Sequence, residues 1–221
     1  MVRGSVFPLR VLRSRSLVAG GLLLLAVTGT VVGVSLLNSL YLQNVAGASP
    51  IRAGAEFLPL VLMTAAGAHL ASRLLRGAGT RVVAVAGLLA VAAGTLLLSR
   101  AGVHTGYAAG VLPAFVLLGT GTGLAFPAAS VTALSQVREE MAGFASGLMA
   151  TAHEVGAGIG AAIFPAVAAA TAGFTAGGAG FAAGYRHATV VAAVVAAGLA
   201  ILAALAVPSV RPAPGAKVAV H

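Results

Sequence analysis

The sequence predicts an all-α integral membrane protein, a bundle of six transmembrane helices. Composition, long unbroken apolar runs and the placing of basic residues between those runs predict it. Of the 221 residues, 59% are hydrophobic and only 8% are charged. The mean hydropathy is +1.04. A soluble domain carries about 25% charged residues, so this chain lacks the polar surface to face water and suits a bilayer. In lipid every backbone polar group is satisfied internally, which leaves helices or a closed barrel. A barrel strand alternates apolar and polar residues over about ten positions. The runs here do not alternate, so helices are expected.

A crossing helix needs about 20 apolar residues. Six stretches qualify: Leu17–Leu42, Gly54–Leu75, Val82–Leu98, Tyr107–Val131, Ala142–Ala170 and Ala188–Val207. The first follows several arginines, as a signal peptide would. Its apolar part exceeds the 7–15 residues of a typical signal core, and further spans follow, so it reads as a retained helix. Pro59 stands early in the second stretch; Pro113 and Pro127 stand near the two ends of the fourth. Thr171–Gly184 is rich in Gly, Ala and Thr and reads as a flexible external loop. Residues 1–16 form a basic N-terminal segment, 17–207 the bundle, and 208–221 a proline-bearing disordered tail.

The chain has no cysteine, which excludes disulfides, thiolate metal sites and cysteine nucleophiles. The net charge of +9 does not indicate nucleic acid, because the basic residues are scattered between apolar runs without interleaved aromatics. They set topology instead. With the N-terminus inside, the inner segments hold Arg3, Arg10, Arg13, Arg15, Arg73, Arg76, Arg81, Arg138, Arg211 and Lys217, and the outer ones Arg52, Arg100 and Arg186. Basic residues favour the cytoplasmic side, so both termini are expected there, in a multi-pass plasma-membrane protein.

Polar residues inside the runs are the candidates for chemistry. Glu154 lies near the middle of the fifth stretch. A charge at that depth is costly and commonly functional, which makes it the first candidate for coupling to protons. Gly147, Thr151, Glu154, Gly158 and Ala161 share one helical face, small enough for the bundle interior or a close helix contact. His153 stands beside Glu154, about 100° around the helix, as a second proton-coupling candidate or a bond to a backbone carbonyl. Asn38, Ser39, Tyr41, Gln43 and Asn44 cluster at the outer end of the first helix. With Thr151, Asn38 and Gln43 are the substrate-path candidates; interface-level polar residues are the alternative for the cluster. His69, His104, His187 and His221 show no ligand spacing with a supporting carboxylate, so no metal site and no cofactor is expected. Glu139 and Glu140 stand beside Arg138 as solvated ion-pair partners. Gly119, Gly121 and Gly123 lie inside an apolar span with no Gly-Lys-Ser/Thr after them, and read as helix-packing positions. Gly143/Gly147 and Gly156/Gly160 have small-xxx-small spacing and read the same way. With only four acids in the chain, a membrane-embedded enzyme is not expected.

Three stretches carry a resemblance. Ser49-Pro-Ile-Arg-Ala-Gly54 is followed by Phe57-Leu-Pro59. Gly67-Ala-His-Leu70 leads through Arg73, Arg76 and Gly79 to Arg81. Gly123-Leu-Ala-Phe-Pro127 is followed by Gly143-Phe-Ala-Ser-Gly147 and Thr151-Ala-His-Glu-Val-Gly156. In order and spacing they resemble the second half of the major facilitator superfamily, closest to its fourteen-helix drug:proton antiporters. The second stretch is similar to the family's cytoplasmic loop signature, set between the second and third helices. Arg76 stands where that signature has aspartate, and Gly77 where it has arginine. The family fold is two six-helix bundles related by pseudo-symmetry, and one bundle is visible here. The resemblance implies proton-coupled efflux of small organic or drug-like molecules, with lipid, protons, a small-molecule substrate and a second six-helix bundle, from another copy or a separate chain, as partners. A non-transporting membrane subunit or a truncated inactive remnant is the alternative.

Overall fold

The computed structural model describes residues 14–101, 106–172 and 177–211. In chain order these form α1 (Arg15–Asn44), α2 (Pro50–Glu56), α3 (Leu58–Leu98), α4 (Tyr107–Gly110), α5 (Leu112–Leu134), a 3₁₀ turn (Glu139–Met141), α6 (Ala142–Ala172) and α7 (Gly177–Ala206). Five of these stretches are long and apolar enough to cross a membrane, and α3 supplies two crossings. It breaks at Gly79, whose φ of 80° and ψ of 168° fall where only glycine sits without strain. The first arm (58–78) runs parallel to α5, with Gly119 against Leu60 and Gly123 against Thr64; the second arm (80–98) runs antiparallel, with Gly87 against Ala125 and Gly94 against Ala114 and Leu118. The expected six crossings are therefore present.

Prolines set where helices begin. Pro59 lies in the first turn of α3 and leaves α2 as a separate helix capped by the Ser49 side chain. Pro113 in the first turn of α5 likewise separates α4 from α5, because a proline inside one continuous helix clashes with the carbonyl four residues back. Pro127 lies inside α5 without ending it. The loop expected at Thr171–Gly184 is in part a correction: α7 begins at Gly177. Its sequence is weakly helical on propensity, but Gly184 lets the backbone approach the Ala168 carbonyl, and packing fixes the helix. The tail is corrected at its start. Thr80 Oγ1 donates to the Pro208 carbonyl at 2.7 Å, and Thr80 N to that of Val210 at 2.9 Å. Arg81 Nε donates to the Val207 carbonyl at 2.7 Å, satisfying an orphan acceptor just past α7 with a charge of the favoured sign. Residues 212–221 and 1–13 lie outside the described residues.

α1 and α5 sit side by side at the centre, α1 also packing on α6 and α7, and α5 on both arms of α3. The first arm and α6 scarcely meet the far central helix, so they stand apart and flank a groove floored by α1 and α5. Two apolar clusters stack along the bundle. One holds Leu17, Leu24, Leu75, Leu88 and Ala203 at the Arg15 end; the other holds Leu37, Tyr41, Leu98, Phe115 and Tyr185 at the opposite end. Between them α1 carries buried Thr28, Gly29 and Thr30. Arg15, Arg73, Arg76, Arg81, Arg138 and Arg211 cluster toward one end, and Arg52, Arg100 and Arg186 toward the other.

The crossings are made by backbone on backbone. Gly156 packs on Leu25, Gly160 on Gly29, and Gly33 on Gly160. A methyl group at Gly143, Gly147 or Gly158 would meet nothing within 4 Å, so small-xxx-small packing holds at Gly156/Gly160 and not at Gly143/Gly147. Gly160→Ala places a methyl against the Gly29 carbonyl and is expected to destabilise the bundle by ~1–3 kcal/mol, the usual cost of overpacking. Gly158→Ala is expected to leave it unchanged. Thermal unfolding of the two variants in detergent checks the contrast.

Candidate functional site

Glu154 sits twelve residues into α6, about 18 Å along its axis at 1.5 Å per residue. Gly156, half a turn away, packs on Leu25 of α1, so the carboxylate is level with the middle of both helices. The face shared by Gly147, Thr151, Glu154 and Gly158 is exposed on this bundle. Of the two expected settings, the bundle interior or a close helix contact, the first is not met within this bundle: the buried side of α6 carries Ala145, Met149, Gly156, Gly160 and Phe164. Thr151 hydrogen-bonds back to the Gly147 carbonyl at 2.9 Å.

His153 points elsewhere. Its Nδ1 lies 3.1 Å from Thr28 Oγ1 of α1, with the donor set by the ring tautomer, and its ring meets Phe126 of α5 edge-on at 5.5 Å between centroids. It is half-buried where α1, α5 and α6 converge at mid-depth, on the groove floor. The two proton-coupling candidates are thus adjacent in sequence but aim at different surroundings, one at the floor and one at the flank. Thr28 and Phe126 were not among the sequence candidates, since a lone Thr or Phe in an apolar run carries no signal.

The three substrate-path candidates do not come together. Asn38 is fully buried; its Nδ2 donates to the Val34 carbonyl at 2.9 Å and its Oδ1 accepts from Tyr185 Oη at 2.7 Å. The Tyr185 ring stacks on Tyr41 at 4.5 Å. This is a closed polar lock between α1 and α7, which removes Asn38 from any open path. Gln43 is exposed and donates back to the Ser39 carbonyl and hydroxyl at 3.1 and 3.0 Å.

Beside the lock, Tyr41, Arg52, Glu56 and Tyr107 line a cavity of about 280 Å³ at the end opposite Arg15. Arg52 pairs with Glu56 at 3.0 Å, and Tyr107 Oη donates to the Glu56 carbonyl at 2.6 Å.

The loop-signature residues divide. Gly67 lies twelve residues before the turn, packed against Thr120 and Gly123 of α5, so it is a helix-crossing position and not part of the loop. Gly79 makes the turn, and Arg81 fastens it to the end of α7. Arg73 and Arg76 are exposed at that end. His104 and His221 lie outside the described residues. Arg138 and Glu140 form the expected exposed pair at 3.3 Å.

The sequence profile described as Major Facilitator Superfamily matches residues 2–161. The chain belongs to this superfamily. Among curated relatives, it is 38% identical over 130 residues to the puromycin resistance protein of Streptomyces alboniger, covering 58% of this chain and 26% of the relative. It is 32% identical over 154 residues to the tetracenomycin C resistance and export protein of Streptomyces glaucescens, covering 70% and 28%. It is 33% identical over 129 residues to the multidrug resistance protein Stp of Mycobacterium tuberculosis, covering 58% and 24%. The matched stretch is thus about a quarter of the length of each relative. As a major facilitator superfamily member with these apolar helices, the chain is a multi-pass membrane protein.

Tyr185→Phe removes the donor to Asn38 and leaves a buried carbonyl oxygen unpaired. The expected loss is ~1–3 kcal/mol, read as a lower thermal midpoint. Gln43→Ala, on the exposed side of the same helix, is expected to change it little.

Proposed function

We propose that this chain is a six-helix half of a major facilitator transporter, the C-terminal half in the order of that fold, which expels small drug-like molecules in exchange for protons. Its groove face, flanked by the first arm of α3 and by α6, is covered by a second six-helix bundle from the same polypeptide, another copy or a separate chain. The observation that carries this reading is Glu154, exposed on the bundle at mid-membrane depth. Facing lipid, a carboxylate there costs ~2.5–3.5 kcal/mol on insertion scales. A partner bundle and a watered path between the two remove that cost, and alternating access by one bundle rocking on another needs such a seam.

In this reading Glu154 takes and releases the proton from the groove flank. His153, held by Thr28 and Phe126 on the floor, is the second group able to carry one, and Thr151 on the exposed stripe faces the substrate path. The names of the relatives, which speak of resistance to puromycin, resistance to and export of tetracenomycin C, and multidrug resistance, support an organic substrate and the outward direction. The arginine-rich end is cytoplasmic by the positive-inside rule, so both termini lie on the cytoplasmic side of the plasma membrane. Transport, not catalysis, is the activity.

The test is efflux of a lipophilic cationic dye from vesicles carrying this chain in its native assembly. Dye movement that requires a pH gradient and is abolished by Glu154→Gln is expected. Gradient-driven efflux at an unchanged rate in the Glu154→Gln variant contradicts the coupling role. No dye movement from well-inserted protein contradicts transport of this substrate class.

A further inference from the structure

The two ends of the bundle each hold a cavity, and their charge differs. At the outer end, Arg52 is balanced by Glu56. At the other end, a cavity of about 750 Å³ is lined by Ser14, Arg15, Ser16, Arg81, Gln136 and Pro208, with no acidic residue in its wall. Arg81 uses Nε on the Val207 carbonyl, which leaves its two terminal nitrogens to donate. Arg15 makes no hydrogen bond or ion pair among the described residues and is exposed. Ser16 Oγ donates to Gln136 Oε1 at 3.3 Å, which orients the Gln136 amide nitrogen as a further donor. The cavity opens beside the first turn of α1, a helix of 30 residues whose free N–H groups and dipole add positive potential.

We propose that this cavity binds a phosphate group, presented as the headgroup of an anionic phospholipid. Two guanidinium groups and an amide donor match the acceptor oxygens of a phosphodiester, and charge-assisted bonds of this kind are the strong ones. The location favours a lipid over a soluble source. The site lies where α1 and α7 leave the apolar run, at headgroup level, and basic pockets between helices at that depth hold anionic headgroups. Binding here does not depend on transport or on a second bundle.

The experiment titrates the full chain, in a mild neutral detergent, with phosphatidylglycerol, phosphatidylcholine or free glycerol 3-phosphate, and counts bound molecules by native mass spectrometry. The variant is Arg15→Gln, which removes no bond from the fold; Arg73→Gln, at the same end but outside the cavity, is the control. Phosphatidylglycerol is expected to bind in preference to phosphatidylcholine, to weaken roughly fivefold in Arg15→Gln, as the loss of one basic residue at a lipid surface implies, and to be unaffected by Arg73→Gln. Glycerol 3-phosphate is expected not to displace it at equal concentration. Equal binding of the two lipids, or an effect of Arg73→Gln as large as that of Arg15→Gln, overturns the site. Displacement by glycerol 3-phosphate at equal concentration overturns the lipid assignment and gives the pocket to a soluble phosphate.

Discussion

Close approach of helix backbones is the constraint on which this bundle depends. Lipid tails are as apolar as leucine, so burying leucines gives helices no reason to associate in a membrane; packing contact and hydrogen bonds must do it. The chain answers with glycine at the crossings. Gly29, Gly33, Gly156 and Gly160 bring α1 and α6 together, and Gly67, Gly87, Gly94, Gly119, Gly121 and Gly123 seat both arms of α3 on α5. Larger residues then fill the space above and below in two apolar clusters. Among the described residues, hydrogen bonds between elements fall at particular points: Tyr185 to Asn38 and Tyr107 to the Glu56 carbonyl toward one end, Thr28 with His153 in the middle, and Ser16 to Gln136 and the Thr80–Arg81 turn to the residues after α7 at the other.

The same logic marks what is left over. α6 is the least buried of the membrane-length helices; its exposed surface carries Val155, Ile159 and Ile163 and, beside them, a strip of small residues interrupted by a carboxylate. Helices that end their packing against lipid show large apolar side chains, as α7 does with Val194, Ile201, Leu202 and Leu205. A face of Gly147, Thr151, Glu154 and Gly158 suits neither lipid tails nor a core that is already filled. It suits another protein surface with water between.

The crossings were legible in the sequence because their apolar runs are long and their loops carry the arginines. The glycines inside the span at 119–123 were legible as packing positions, for no phosphate-loop context surrounds them. The hairpin at Gly79 was legible only as a short loop, since φ is invisible in a residue name. The start of α7 was misread as a loop because Gly- and Ala-rich sequence has the same local signal in both states; tertiary contact at Gly184 and Tyr185 decides it. Glu154 was legible by its cost, but not the direction it faces. Helical periodicity gives which residues share a face; it does not give which neighbour that face meets. Gly143/Gly147 and Gly156/Gly160 have the same spacing and opposite surroundings for this reason, and Asn38 looked like a mouth residue because its partner, Tyr185, lies far along the chain.

The central claim is that the exposed face of α6 meets a watered seam and not lipid. The chain has no cysteine, so single spin labels can be placed by Gly158→Cys on α6 and Leu202→Cys on α7. Relaxation by oxygen, which concentrates in the lipid core, and by a water-soluble nickel chelate then reports the surroundings of each label in the native membrane. The account predicts a nickel response and weak oxygen relaxation at 158, with strong oxygen relaxation at 202. Strong oxygen relaxation at both positions, with no nickel response at 158, would place the α6 face in lipid and contradict it.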